Sequence, residues 1–366
     1  MTLKVAIVGC GKIADGHVEQ IREMPEMARV VAACDLELLM AEQLAARYGI
    51  PAHYDDFERL LAVEKPDVVH ITTPPGSHLA LTTLALQAGC HVYVEKPLTP
   101  TLADTRTLIE RAEAAKRKLT VGYTYLFDPP ALAMRELVAA GEIGEPVHVE
   151  SFYGYDLAGQ FGSALLADAN HWVHRLPGRL LHNNIDHLFN KMVEFIDDER
   201  PALLAQGFVR RTARFGDARD DMHDELRVMV RGARVTAYGT FSAHVRPAPH
   251  FCRVYGTRNT VTVDYLARTV LLEGTSQLPS AIGRLVPAFE RAGRFAGQGM
   301  KNLAKFARAD FHFFAGLAHL IRAYYRSILD DGPPPIPYRD MVAVAAMMEE
   351  VFTQIGATAA PPRPPP

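Results

Sequence analysis

The stretch Val5-Ala6-Ile7-Val8-Gly9-Cys10-Gly11-Lys12-Ile13-Ala14 decides the fold class. Val5 to Val8 is a run of β-branched and small apolar residues, the pattern of a strand buried on both faces, and it leads directly into glycines. Ile13 to Met24 then reads as a helix. Gly9 suits a tight turn, Gly11 leaves bare backbone for a pyrophosphate, and Ala14 lets helix and strand pack closely. Phosphates there would rest on the first helical amides, those around Lys12 and Ile13. A second strand, Val30 to Cys34, ends in Asp35, whose carboxylate can accept hydrogen bonds from both adenosine ribose hydroxyls and would repel a 2′-phosphate. The expected cofactor is therefore NAD rather than NADP.

Outward from this turn, the first 125 residues alternate strand and helix, which predicts an α/β domain with a parallel, doubly wound sheet. Ligands bind at strand ends in such sheets, and the chain places Thr73-Pro74-Pro75-Gly76-Ser77-His78 and Glu95-Lys96-Pro97 at two of them. From Val147 the pattern changes to longer strands with few helices between them, running to Val270–Glu273 and including Leu203–Arg211. That predicts a mostly antiparallel second sheet in an α+β domain. The expected domains are 1–125 for the dinucleotide and 126–360 for substrate and dimerisation, with a helix from Arg339 to Ile355 and a disordered Pro-rich tail over 361–366.

Composition excludes several classes. The chain has 366 residues, 48% hydrophobic and 22% charged, which is ordinary for a globular enzyme. A net charge of −3 offers no global field to recruit nucleic acid or an acidic membrane. No stretch approaches the roughly 20 apolar residues of a membrane span, so a cytoplasmic protein is expected. Cys10, Cys34, Cys90 and Cys252 are far apart and suit free thiols in a reducing compartment, with neither a disulfide nor a cysteine metal site.

Taken in order, these residues resemble the glucose-fructose oxidoreductase and inositol dehydrogenase (Gfo/Idh/MocA) family. The points of likeness are Gly9, Gly11 and Ala14; Asp35; Asp67 to Pro74 with His78; Glu95-Lys96-Pro97; Val121-Gly122-Tyr123; Gly141 to Gly144; and Gly256-Thr257 with Val263-Asp264. The resemblance implies a Rossmann domain plus an open-sheet domain, a homodimer or homotetramer, and NAD(P)-dependent chemistry on a sugar, inositol or sugar nucleotide. It implies cofactor contacts from Thr73, Pro74, His78, Glu95, Lys96 and Tyr123, a substrate contact from Tyr125, and a cis peptide at Lys96-Pro97. Lys96 would bridge the nicotinamide ribose and the substrate hydroxyl. Its chemistry is apt, because alcohol oxidation requires a proton to leave the hydroxyl as the hydride leaves carbon. Two other readings remain, NAD-assisted glycoside cleavage and a cofactor-bound sensor without turnover.

The family's remaining catalytic pair is an Asp and a His four residues apart on one helix. Taking His187 as that histidine puts Asn183 where the aspartate belongs; the other register puts His182 and Asp186 at the two positions but leaves no imidazole at the proton-transfer point. An amide orients a hydroxyl but takes no proton, so His187 would work without that carboxylate. Leu126 is a second departure, since many relatives carry arginine there. Upstream, His171, Trp172 and His174 are candidate substrate contacts on a lid, with Trp172 as a core anchor the alternative. Thin ligand spacing argues against a metal among these histidines. Finally, 282–331 sets Arg284, Arg291, Arg294, Lys301, Lys305 and Arg308 among Leu285, Phe289, Phe295, Leu303, Phe306, Phe311, Phe313 and Phe314. This basic amphipathic insertion either lies on an anionic membrane, grips a lipid-linked or nucleotide substrate, or packs on its own domain or a dimer partner.

Overall fold

Branched apolar side chains put β1 (Leu3–Val8) in the middle of a sheet, with Val5, Ala6 and Ile7 fully buried. After it come α1 (Lys12–Arg22), β2 (Ala28–Cys34), α2 (Leu38–Tyr48), β3 (Ala52–Tyr54), α3 (Phe57–Glu64), β4 (Val68–Ile71), α4 (His78–Gln87), β5 (His91–Val94), α5 (Leu102–Ala114) and β6 (Leu119–Val121). All six strands run parallel in the order β3-β2-β1-β4-β5-β6, the doubly wound sheet that the alternation predicts. The order reverses between β1 and β4, so the Gly9 turn and the Thr73 loop lie side by side. There the Thr72 hydroxyl donates to the carbonyls of Val8 (3.0 Å) and Gly9 (2.5 Å). Helices start where side chains can cap them: Asp56 accepts from the Arg59 amide at α3, and Thr101 from the Asp104 amide at α5.

This is a computed structural model, and it describes residues 2–168, 170–198, 200–210, 222–274, 279–308 and 315–356. The expected tail over 361–366, the strand end at Arg211, and Phe311, Phe313 and Phe314 lie outside the described residues.

The second sheet domain contains α6 (Pro129–Ala139), β7 (Pro146–Gly154), α7 (Gln160–Ala167), α8 (Arg179–Asn184), α9 (Asp186–Val193), β8 (Ala202–Phe208), β9 (Glu225–Arg231), β10 (Thr236–Ser242), β11 (His250–Gly256), β12 (Asn259–Asp264), β13 (Thr269–Gly274) and α10 (Ser280–Ala307). Its seven strands follow the order β13-β12-β11-β7-β10-β9-β8, parallel only between β7 and β10. Helix α9 packs on β7 and β10. Gly239 in β10 makes room for it, because a Cβ there would come within 3.0 Å of Met192 Cε.

Two more helices follow, α11 (Ala315–Leu329) and α12 (Tyr338–Gln354). The sequence reading closed the first domain at 125 and gave the rest to the second, but Gly316–Glu349 groups with Met1–Thr124, and Glu350 onward groups with Tyr125–Ala315. The reason is visible at β6. The Tyr324 hydroxyl donates to the Lys118 carbonyl (2.7 Å), and the Leu119 amide donates to the Tyr338 hydroxyl (3.0 Å), so these helices complete the core around the parallel sheet's last strand. Helical periodicity marks an apolar face without saying which sheet it will cover.

Candidate functional site

In the first unit, the strand-to-helix turn leaves a concave backbone. Gly9 has φ +95°, and a Cβ there would lie 2.8 Å from the Thr73 nitrogen, so both conformation and space demand glycine. Gly11 differs: a Cβ on it would meet no protein atom within 4 Å, which leaves open space in front of α1. No side chain caps α1, whose first residues are exposed Lys12 and half-buried Ile13, while Ala14 is buried against the sheet. An uncapped helix start facing open space is an anion site. Asp35 stands at the end of β2, its Oδ2 accepting from the Cys10 amide (2.7 Å) and its Oδ1 from the Glu37 amide (3.0 Å). These bonds aim the carboxylate beside the glycine turn, and the ensemble fits a dinucleotide with an unphosphorylated ribose.

The ends of β4 and β5 carry the next residues. The Thr73 hydroxyl pairs with that of Ser77 at 2.7 Å, and Pro74 begins the 3₁₀ turn leading into α4. His78 is completely buried. Its Nδ1 faces the carbonyls of Pro97 (3.1 Å) and Leu98 (3.0 Å), and its Nε2 faces that of Thr73 (2.8 Å). Burial pushes its pKa down. With no exposed surface, His78 ties the two ligand loops together, a strut rather than the direct cofactor contact that the resemblance implied. Tyr123 is likewise buried.

Lys96 is half-exposed, and the Lys96-Pro97 peptide is cis. Beneath it lies a buried polar chain that sequence reading missed. Glu95 Oε1 lies 3.0 Å from His17 Nε2; His17 Nδ1 lies 2.8 Å from His70 Nδ1; and His70 Nε2 lies 2.9 Å from the Tyr325 hydroxyl. One set of tautomers satisfies every contact: Tyr325 donates to His70, His70 to His17, and His17 to the Glu95 carboxylate. Burial pushes the His70 pKa well down and that of Tyr325 well up, in keeping with this assignment. Tyr93 stacks on His70 at 4.8 Å and closes the packing. Glu95 is thereby locked, with its Oε2 accepting from the Lys96 amide at 3.2 Å, and Gly122 leaves it space, since a Cβ there would come within 2.9 Å. His17 carried no motif, and only the strand order brings it to His70.

In the second unit, the run from Leu180 to Val193 is buried throughout. Helices α8 and α9 meet at Ile185, whose backbone stays right-handed helical, so the spacing expected for Asn183 and His187 is preserved. His187 faces a cage of rings: Tyr125 at 4.8 Å and Tyr153 at 4.9 Å, with His250 4.3 Å from Tyr125 and stacked at 4.4 Å on Tyr265. Strand register builds this cage, because His250 pairs with Tyr153 across β11 and β7. His182 stacks on Phe352 instead, 5.0 Å away. A carboxylate is nevertheless at hand. Asp186, fully buried, has Oδ1 3.9 Å from His187 Nδ1 and accepts from the His187 amide at 2.9 Å.

Lys191 was also missed. One turn after His187 on the same face, it is 1% exposed, its Nζ lies 5.0 Å from the Tyr265 ring centre and 5.8 Å from that of Tyr153, and no described group hydrogen-bonds the amine. Burial pushes its pKa down to about 7. Extending the four-residue spacing from Asn183 through His187 would have found it. In the upstream loop, His171 and Trp172 stack on each other at 5.4 Å and remain half-exposed, while the His174 Nε2 contacts the Leu165 carbonyl at 3.0 Å. Val173 and Leu176, not Trp172, anchor this loop in the core. Leu126 is buried, and its carbonyl accepts from Arg135 at 2.6 Å.

Comparison with known proteins identifies the family and its cofactor domain. Residues 3–123 match the model of an oxidoreductase family with an NAD-binding Rossmann fold, and residues 131–262 match the GFO/IDH/MocA C-terminal domain. The chain is 35% identical over 144 residues to D-glucoside 3-dehydrogenase of Escherichia coli K12, covering 39% of this chain and 41% of that protein. It is 33% identical over 151 residues to inositol 2-dehydrogenase of Salmonella typhimurium LT2, covering 41% and 45%. The matched stretch thus spans less than half the length of either relative. Among solved structures, the WlbA dehydrogenase of Bordetella pertussis, crystallised with NADH and UDP-GlcNAcA, shares the fold with a TM-score of 0.75 at 15% identity, covering 99% of both chains. The chain belongs to the GFO/IDH/MocA oxidoreductase family and carries its NAD-binding Rossmann domain.

Proposed function

We propose that the protein is an NAD-dependent oxidoreductase that moves a hydride between nicotinamide and a secondary hydroxyl of a sugar, inositol or sugar nucleotide. The observation that carries this reading is the placement of half-exposed Lys96, beside a locked Glu95, at the same end of the parallel sheet as the open Gly11 turn. NAD, when bound, takes or returns the hydride. The amides of α1 hold its pyrophosphate, and Asp35 holds the ribose and rejects a 2′-phosphate. Lys96 polarises the substrate oxygen. His187 takes the hydroxyl proton at a ring nitrogen, and Asp186 stabilises the resulting imidazolium in place of the carboxylate missing at residue 183. Tyr125 and Tyr153 present ring faces to the substrate, with Trp172, His171 and His174 as outer contacts.

Inositol and sugar nucleotides are included because dehydrogenases named for such substrates are among the similar proteins. The family likeness supports a homodimer or homotetramer, and four buried free thiols support a reducing, cytoplasmic setting. The test is a panel of inositols, glycosides and nucleotide sugars offered with NAD or NADP while reduced nicotinamide absorbance is followed. Turnover that prefers NADP would sink the Asp35 argument; glycoside release without an absorbance change would replace dehydrogenation by cleavage; silence across the panel would favour a cofactor-bound sensor.

A further inference from the structure

Polar side chains cross the core of the first unit where apolar ones would be ordinary. His70 lies in β4, between β1 and β5, where it pairs with Ile7 and Tyr93, and the rest of β4 is Val68, Val69 and Ile71. His17, His70 and Tyr325 are fully buried. Burying two imidazoles and a phenol costs desolvation that apolar side chains would avoid. The rings do pack, with Tyr93 flat on His70 at 4.8 Å and edge-on to His17 at 5.0 Å, but apolar rings would pack as well. What apolar rings could not do is carry a hydrogen-bond direction across the sheet. That direction ends at Glu95, whose side chain is 13% exposed at the ligand end of β5.

Taking Lys96 as the group that polarises the substrate oxygen, we infer that Tyr325, His70 and His17 are positioning residues for it. Through them α11 fixes the Glu95 carboxylate, and Glu95 fixes the backbone that carries the lysine. A neutral imidazole has one N–H to give. His17 gives its own to Glu95 (3.0 Å) while His70 gives to His17 (2.8 Å), and the Tyr325 hydroxyl occupies the nitrogen of His70 that this leaves bare (2.9 Å). The three bonds therefore support one another. At the open end, Glu95 Oε2 accepts from the Lys96 amide at 3.2 Å, and the Glu95 amide donates to the Ile71 carbonyl at 2.9 Å. A carboxylate deprived of its buried donor turns toward water, and the Lys96 amide then loses its acceptor. Helix α11 is held separately. Tyr324 donates to the Lys118 carbonyl at 2.7 Å, and Lys118 Nζ donates to the Gly332 carbonyl at 2.7 Å, so loss of the Tyr325 hydroxyl leaves the helix docked.

Variants of the whole chain separate the polar link from its packing. Tyr325→Phe keeps the ring and removes the hydroxyl, His17→Leu removes a donor and an acceptor, and His17→Gln restores one of each. With NAD and any substrate that the panel of inositols, glycosides and nucleotide sugars yields, Tyr325→Phe and His17→Leu should lower kcat roughly three- to tenfold with KM little changed, the scale of a lost buried hydrogen bond. His17→Gln should recover most of that loss. A packing role alone would move Tm and leave the kcat of the folded protein in place. A second readout needs no turnover. Reductive methylation with isotope-labelled formaldehyde tags the lysines, and the Lys96 magnetic-resonance signal, assigned by its loss in Lys96→Arg, should shift in Tyr325→Phe and His17→Leu and return in His17→Gln. If His17→Leu does not fold, Tyr325→Phe decides alone. A wild type silent across the panel would sink the dehydrogenase reading, and the Lys96 signal would then decide the positioning by itself. An unmoved Lys96 signal in Tyr325→Phe, or its unchanged kcat where the wild type turns over, overturns the inference, as does equal loss in His17→Gln and His17→Leu.

Discussion

His187 lies against the Tyr125 and Tyr153 rings with the Asp186 carboxylate 3.9 Å from its Nδ1, so an imidazolium formed there has a counter-charge although residue 183 is an amide. His187→Ala should lower kcat by about 10² to 10⁴, the range for loss of a general base, and leave NAD affinity unchanged in a titration. Asn183→Ala should act mainly on KM, because an orienting hydrogen bond is made in ground and transition states alike. Intact turnover in both variants, with activity lost in Lys96→Ala, would assign the proton to lysine. Lys191 is tested by stability rather than rate. With its pKa at about 7 in the fold and 10.5 ordinarily, the unfolded chain holds the proton between those values and the folded chain does not. Stability therefore rises with pH across that window. Lys191→Met should remove the rise and raise Tm at neutral pH, as a charge no longer has to be neutralised or buried.

At the scale of elements, the β1–α1 turn makes two glycines do different jobs. Gly9→Ala forces a side chain into the Thr73 backbone at a φ of +95°, so it should lower Tm and lose NAD binding together. Gly11→Ala adds a methyl that no protein atom meets within 4 Å, so Tm of the free protein should be preserved while NAD affinity falls at least about tenfold, because the methyl occupies the pyrophosphate's space. Calorimetric titration with thermal unfolding separates the two. Tight NAD binding in Gly11→Ala would move the phosphate site elsewhere. The glycine turn was fully legible in the sequence, since it depends on residues adjacent in the chain. The Glu95–His17–His70–Tyr325 chain was not, because its members come from α1, β4, α11 and the end of β5, and only the order of the parallel strands makes them neighbours.

Across the whole molecule, buried histidines set the acid limit. His70 and His250 are held well below 6.5 by burial, so below that pH the unfolded chain takes up protons that the folded chain refuses. Their contribution is complete above 6.5 and is lost as pH falls beneath it. Denaturant midpoints measured from neutral to acid pH should decline below this point, and His70→Gln should flatten the decline by up to about 1.4 kcal/mol per pH unit. An unchanged slope would mean that His70 takes its proton within the fold.

The amino-acid sequence alone determined the dinucleotide unit and the two sheet types. Each rests on interactions within one turn or one strand-turn-helix, where chain neighbours are spatial neighbours. Tertiary structure decided that Gly316–Glu349 returns to the first unit, that His78 is a strut, and that Tyr125, Tyr153, His250 and Tyr265 surround His187 with Lys191 behind them. It also decided that the apolar stripe of α10 faces outward. Register and helix docking settle such matters, and both depend on long-range packing that local periodicity does not encode.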